Sequence, residues 1–372
     1  MADGVPWFAG NMWSNQGSQW NGGANMWVPP GNGMFGKEEL GVELLVFLDD
    51  SIYHGMKDEM LAMGQPVPDS VIFNLLKQRY AIIVQGMDLR YGDIAATDYS
   101  IKVRLKGVMI CTKPQASFWT SARASKQLGK ERGVVDVDDA LDDFRDYLKQ
   151  FGHAFPEYDH AMTFTGFDIA SEGKTSTIGV AFFEGICSDL SVSIIEDHGN
   201  TVTTIETATH ELGHSLGSEH DGTGNLCQSD LQYIMAYYVG TRSEQIETNP
   251  WKFSDCSITY FRLFKETLKR KNRNCLFDPA TTGNLFEWTV FTRQQALQKY
   301  TPDIQCKIFQ GGMSYHCKGM VPDDKICNKL YCYIVKTGQC KPIQAMEGTP
   351  CGFKQWCLRG ECKMDTSAPP YM

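Results

Sequence analysis

Histidine is scarce in this chain, with 8 in 372 residues. Long apolar runs are absent: no stretch approaches the ~20 consecutive apolar residues a membrane-crossing helix needs. Positive charge is in deficit, 35 Lys and Arg against 44 Asp and Glu, for a formal net charge of −9. That balance argues against a nucleic-acid partner and supplies no basic patch for a membrane surface. No Asn-x-Ser/Thr sequon occurs, so N-linked glycans are not expected. The first residues, Met1-Ala2-Asp3-Gly4-Val5-Pro6, lack the basic start and apolar centre of a secretory signal. What is present is a 42 % hydrophobic composition, enough for a globular core. The length suits one ordinary domain with a small second module.

Cysteine divides the sequence. Cys111, Cys187, Cys227, Cys256 and Cys275 are spread out, whereas Cys306, Cys317, Cys327, Cys332, Cys340, Cys351, Cys357 and Cys362 crowd together. The crowded set implies about four disulfides and an oxidising compartment, hence an extracellular setting. No C-x-x-C pair occurs among them, which disfavours a structural zinc site there. Spacing does not give the pairings. Residues 1–36 form a separate block rich in Gly, Asn and Trp, with Trp7, Trp13, Trp20 and Trp27. They read as a flexible leader without assigned function. The expected organisation is a leader at 1–36, a main domain at 37–280 and a cysteine-rich module at 281–372.

The scarce histidines are not scattered. His210-Glu211-Leu212-Gly213-His214-Ser215-Leu216-Gly217-Ser218-Glu219-His220-Asp221 reads H-E-x-x-H-x-x-G-x-x-H-D. His210 and His214 are four apart, so on a helix they share one face. Gly217 can take positive φ, end the helix and let the chain double back. His220 then completes a three-histidine zinc shell with one position left open for water. Zinc lowers the pKa of water to near 7. Glu211 is placed to accept the proton and pass it to a leaving amine. The chemistry this spacing points to is zinc-dependent amide hydrolysis.

The extended motif resembles the metzincin metalloproteases, and His220-Asp221 looks like their adamalysin (reprolysin, M12B) branch. Tyr233-Ile234-Met235-Ala236 is similar to the methionine turn beneath the metal in that family. Gly179-Val180-Ala181-Phe182-Phe183-Glu184-Gly185-Ile186-Cys187 and Ile195-Glu196-Asp197-His198-Gly199 resemble its edge strand and the strand that follows. Phe253-Ser254-Asp255-Cys256-Ser257 and Asn274-Cys275-Leu276-Phe277-Asp278 look like its last helix start and its end. Gly348-Thr349-Pro350-Cys351-Gly352 and Trp356-Cys357-Leu358-Arg359-Gly360-Glu361-Cys362 are similar to the disintegrin-like module of ADAMTS proteases.

The likeness spans roughly residues 40–363. No thrombospondin repeat follows, which suggests a shortened form or a short secreted relative such as the tick salivary metalloproteases. With no signal sequence visible, a processed or engineered form is expected.

The resemblance implies an α/β catalytic domain with a five-stranded mixed sheet and a long zinc-binding helix, followed by a disulfide-rich module. It implies a secreted endopeptidase acting on extracellular protein, monomeric unless Cys111 bridges two chains. Its substrate would add to the edge strand at Gly179, Val180, Ala181 and Phe182. It also implies disulfides Cys187–Cys275 and Cys227–Cys256, and a structural calcium ion on Glu43, Asp159, the Cys275 carbonyl and Asp278. Relatives carry a further cysteine shortly after Cys187 that is missing here, leaving Cys111 as a free thiol or an intermolecular bridge. The alternative function is a non-catalytic, anti-adhesive protein acting through the disintegrin-like module. Arg359-Gly360-Glu361 resembles an adhesive R-G-D tripeptide, with glutamate in place of aspartate.

Periodicity fills in the elements. Val42 to Leu48 reads as a buried strand, and Ile101, Val103 and Leu105 alternate as a half-buried one. Asp69 or Ser70 is expected to cap a helix bearing Val71, Ile72, Leu75 and Leu76. Asp136 precedes a helical pattern of Val137, Ala140, Leu141, Phe144 and Leu148. Strands are expected near 161–167, 178–183 and 192–196, the zinc helix near 203–216 and a last helix near 257–270.

Overall fold

The apolar run of Val42 to Leu48 becomes the middle of a sheet because both of its faces are covered. The structure is a computed structural model that describes residues 37–62, 67–125, 133–197, 199, 201–238, 243, 245–277, 301–335 and 337–366. Strand β1 (Glu38–Leu48) pairs in parallel with β2 (Tyr99–Ile110) on one side and β4 (His160–Thr165) on the other. Strand β7 (Val192–Glu196) adds to β4 in parallel, and β6 (Gly179–Ala181) closes the order β2-β1-β4-β7-β6 as an antiparallel edge. Leu44, Val46 and Leu48 of β1 face one apolar core. Leu45 and Phe47 face a second, with Trp119, Phe144 and Ile194. Burial on both faces removes the polar alternation a one-sided strand would show.

Helices cover both faces. Helices α1 (Asp50–Ala62) and α2 (Asp69–Gly92) follow β1, and the short α3 (Phe118–Ser121) follows β2. A small pair of strands, β3 (Val134–Asp136) with β5 (Asp168–Ala170), precedes and follows α4 (Val137–Phe151) in the fold. Asp136 caps α4 by accepting the Asp139 N–H at 3.5 Å. The expected cap of α2 is corrected. Pro68 holds the cap position without a side-chain bond, and Asp69 is already helical, its carboxylate 3.0 Å from Lys57 Nζ. An acid in the first turn still favours the helix dipole there. Helices α5 (Thr201–Ser215) and α6 (Asp255–Arg270) complete this part.

The cysteine-rich tail has α7 (Pro302–Gln310), a hairpin of β8 (Leu330–Ile334) with β9 (Gln339–Ile343), and a three-stranded sheet of β10 (Pro350–Gly352), β11 (Gln355–Leu358) and β12 (Glu361–Met364). Cys306–Cys332, Cys317–Cys340, Cys327–Cys357 and Cys351–Cys362 hold it together. Further up the chain Cys187 bonds Cys275, and Cys227 bonds Cys256. Cys111 is a free thiol, fully buried, with Sγ 3.2 Å from the Ala116 carbonyl. Burial raises its pKa well above the usual thiol value. A buried thiol cannot reach a second chain in the folded state, so the bridging alternative fails. The block 1–36 lies outside the described residues.

The tail seats on the part that carries the five-stranded sheet. Ile82 of α2 joins the tail core. Arg90 donates to Gln344 Oε1 at 3.0 Å and to the Pro250 carbonyl at 3.1 Å, with its guanidinium 4.2 Å from the Trp251 ring centroid. Arg359 pairs with Asp93.

One buried titratable group joins the sheet to α5. His160 Nε2 lies 2.9 Å from Ser193 Oγ, and its Nδ1 lies 3.2 Å from Ser191 Oγ and from Ser215 Oγ. Burial lowers its pKa to about 3. It stays neutral in the fold while an unfolded histidine charges near 6.5. Its contribution is therefore present above about pH 6.5 and is lost as pH falls toward 3, at up to about 1.4 kcal/mol per unit. Urea titrations of the native chain and His160→Gln should give stabilities whose difference narrows steadily over that window. A constant difference would show that His160 does not contribute the acid dependence.

Candidate metal centre

Helical spacing does the first part of the assembly. His210 and His214 project from one face of α5. The helix stops where Gly217 takes φ +87°. The turn closes through Gly217 N–H to the His214 carbonyl and Ser218 N–H to the Gly213 carbonyl, both 2.9 Å. A Cβ on Gly217 would stand 2.9 Å from the Phe264 ring, so α6 packs against the bare backbone. The reversed chain brings in His220. The three Nε2 atoms form a triangle with sides of 3.0, 3.0 and 3.1 Å.

Each helix-borne ring is oriented from behind. His210 Nδ1 donates to the Ile234 carbonyl at 2.7 Å, and His214 Nδ1 to the Ser218 carbonyl at 2.8 Å. Donation from Nδ1 leaves the Nε2 lone pair pointing inward. Three lone pairs this close repel one another unless a cation lies among them. Tetrahedral zinc with bonds of 2.0–2.1 Å implies ~3.3 Å between ligand nitrogens, close to the observed spacing. The donor set thus fits a metal ion. Burial, followed by the neighbouring rings, holds His210 well below the usual imidazole range. Burial lowers His214 to about 4 and also lowers His220. Neutral rings are the form that binds metal.

Glu211 is buried beside the triad, under the edge strand. A Cβ on Gly179 would meet Glu211 Oε1 at 2.7 Å and Thr207 Cγ2 at 2.7 Å, so only glycine lets the strand pass. Burial alone pushes the Glu211 carboxyl up to about 8; a cation at the histidines works in the opposite direction. Gly179, Val180 and Ala181 form β6, whereas Phe182 falls beyond the strand's end. The strand is shortened because Glu184 takes φ +53° and turns the backbone toward α5, bonding the His214 carbonyl at 3.0 Å.

Met235 lies fully buried beneath the triad, its Sδ 2.6 Å from where a Gly213 Cβ would stand. Several supports were not legible in the sequence. Asp221 appeared there only as a family marker. Its N–H bonds the Met235 carbonyl at 2.8 Å, and its Oδ1 accepts from Ser254 Oγ at 2.6 Å. Ser254 in turn caps α6 through the Ser257 N–H. Burial raises the Asp221 pKa. Asp197, just past β7, meets Arg79 at 2.8 Å, the Tyr80 hydroxyl at 2.6 Å, the Gly199 N–H at 2.8 Å and the Thr204 hydroxyl at 3.0 Å. Burial works to raise its carboxyl, but these partners outweigh it and hold the pKa low. The network pins the approach to α5. Trp251 is the third support: the neighbouring Lys252 carbonyl accepts the Ile234 N–H at 3.0 Å, directly behind His210.

The structure brings Glu43 and Asp159, two of the expected calcium positions, together. Glu43 N–H donates to Asp159 Oδ2 at 2.8 Å. Lys106 Nζ lies 2.7 Å from Glu43 Oε2, while Oε1 is buried without a hydrogen-bond partner. Cys275 is in its disulfide, bordering a cavity of about 380 Å³ that Asp159 also lines. Asp278 lies outside the described residues.

The contact between Gly213 and Met235 sets a measurable limit. Gly213→Ala must displace Met235, and overpacking of this kind costs about 1–3 kcal/mol. The variant should melt several degrees lower and bind zinc more weakly in competition with a chelator. Unchanged melting and unchanged zinc affinity would show that the close approach is not needed.

Residues 130–279 match the reprolysin (M12B) family of zinc metalloproteases, and residues 298–363 match ADAMTS cysteine-rich domain 2. The chain is similar to mouse (Mus musculus) "A disintegrin and metalloproteinase with thrombospondin motifs 18", 34 % identical over 210 residues, covering 55 % of this chain and 16 % of that protein. The rat (Rattus norvegicus) protein with thrombospondin motifs 7 is 32 % identical over 241 residues, 61 % of this chain and 14 % of that one. The chain thus spans about a sixth of the length of the curated relatives it matches. A solved zinc-dependent peptidase from Methanocorpusculum labreanum aligns over 59 % of this chain and 99 % of its own, at 12 % identity and a TM-score of 0.33. That likeness is too slight to carry an argument.

Proposed function

We propose, from the premise that this chain is an ADAMTS-type metzincin of the reprolysin branch, that it is a secreted zinc endopeptidase hydrolysing extracellular protein. One observation carries the reading: three Nε2 atoms converge within 3.1 Å beside a buried glutamate, under a sheet edge. His210, His214 and His220 would hold the ion. When bound, zinc supplies Lewis acidity that acidifies water and polarises a carbonyl.

The chain's own groups do the rest. The Glu211 carboxylate accepts a proton from attacking water and delivers it to the leaving amine. Its burial keeps competing solvent away and makes it a stronger base. The β6 edge offers Gly179, Val180 and Ala181 to an extended substrate backbone, which aligns the scissile bond with Glu211. Six disulfides among the described residues support secretion. We place the catalytic domain at 37–280 and the cysteine-rich module at 281–372. The anti-adhesive alternative is less favoured: the Arg359 guanidinium pairs with Asp93, its main-chain N–H donates to the Glu347 carboxylate, and Gly360 is packed on Trp251.

Zinc-loaded native chain should cut a denatured protein, and a zinc chelator should stop it. Glu211→Gln should keep one zinc and lose turnover by at least about a hundredfold, while His214→Ala should lose the zinc. Full activity in Glu211→Gln would remove this mechanism.

The calcium reading is part of the proposal. Its support is the partnerless Glu43 Oε1, a hard oxygen beside Asp159. Lys106 already offsets part of the Glu43 charge, so the ion's contribution should be modest. At fixed zinc, a calcium chelator should lower the thermal midpoint by a few degrees; an unmoved midpoint would count against calcium.

A further inference from the structure

A pocket of about 450 Å³ opens where the edge strand runs out. Phe183, Tyr260 and Leu263 supply apolar wall, and the carboxylate-bearing Glu184 and Glu219 stand among them. Phe183 and Leu263 are 45 % and 60 % exposed, so this apolar surface faces solvent. Glu219 immediately precedes His220. Glu184 is locked to α5 through its N–H, in a left-handed conformation that costs a non-glycine residue energy. No lysine or arginine lines the pocket. The pocket lies just past the edge strand, since Phe183 and Glu184 of its wall follow closely on Ala181, the last residue of β6.

We propose that this pocket receives a long cationic side chain, arginine or lysine, of the protein substrate. The inference rests on the endopeptidase reading. An aliphatic stem can lie on Phe183 and Leu263 while its charged head reaches two carboxylates. Tyr260 adds a ring face of the kind cations favour. A purely apolar residue would cover the carboxylates without pairing them, and an acidic one would meet like charge. The side of the cut follows from pairing geometry. Antiparallel addition to an edge strand is the commoner and stronger mode. It runs the substrate against β6, so residues before the scissile bond reach the Glu184 end.

The test separates binding from turnover. Fluorescent peptides identical except for Arg, Ala or Glu at one position, scanned along both sides of the bond, are titrated by anisotropy against zinc-loaded Glu211→Gln protein. Native protein is assayed for cleavage of the same set. An arginine on the amino side should tighten binding about tenfold over glutamate at the same position. The preference should fall within about twofold in the additional Glu184→Gln/Glu219→Gln background, with the alanine peptide unchanged. If the double change costs zinc, Glu184→Gln alone carries the comparison, since the tie of Glu184 to His214 runs through its main-chain N–H and does not involve the side chain. Equal binding of arginine and glutamate peptides, a preference that survives the double change, or a preference confined to the carboxyl side would overturn the assignment. Charge-selective binding with no cleavage by native protein would instead sink the endopeptidase reading and leave the pocket standing.

Discussion

Two main-chain carbonyls, those of Ile234 and Ser218, decide which nitrogen of each helical histidine faces the centre. Most of the fold around them serves that choice. The Ser218 carbonyl depends on the turn at Gly217, which depends on α6 lying close enough to fill the space a side chain would occupy. The Ile234 carbonyl depends on its neighbours: the Met235 carbonyl accepts from the Asp221 N–H, and the Ile234 N–H donates to the Lys252 carbonyl. A tetrahedral ligand set tolerates little wandering of its nitrogens. Main-chain acceptors suit that demand because they have no rotamers of their own.

The same constraint accounts for the buried ionic contacts near α5. Arg79 and Asp197 are both almost inaccessible, a costly arrangement unless every oxygen is satisfied. Here the carboxylate has four donors, and the pair joins α2 to the segment entering the histidine helix. What it contributes is location: it fixes where α5 begins relative to the sheet.

The sequence was informative where the physics is local. Histidines four apart on a helix need no knowledge of the remaining chain to share a face, and a glycine past the last turn is a local signal as well. Val42 to Leu48 was legible as a strand because burial on both faces leaves a plain apolar run. Helix α1 was not: among its described residues Ile52, Tyr53 and Met56 are the buried apolar ones, and Gly55 interrupts them. The cap of α2 was misplaced because Asp69 and Ser70 carry a capping signature whether or not the backbone uses it. Phe182 was assigned to the strand by likeness to the family's edge strand, while the actual end is set by the distant hydrogen bond from Glu184 to His214. Ser254 on Asp221 and Arg79 on Asp197 are contacts across many residues, for which one sequence gives no period to follow.

The seam at Trp251 reaches further than its size suggests. A methyl group on Gly360 would fall 2.2 Å from the indole nitrogen, so the tail's backbone lies flat on that ring while Arg90 covers it from elsewhere. Cutting the chain between α6 and α7 would bare an aromatic surface and a guanidinium that belong to an interior. The cysteine-rich part is accordingly a wall shared with the histidine-bearing part, and removing it would disturb the seam next to the Lys252 carbonyl that holds Ile234 behind His210.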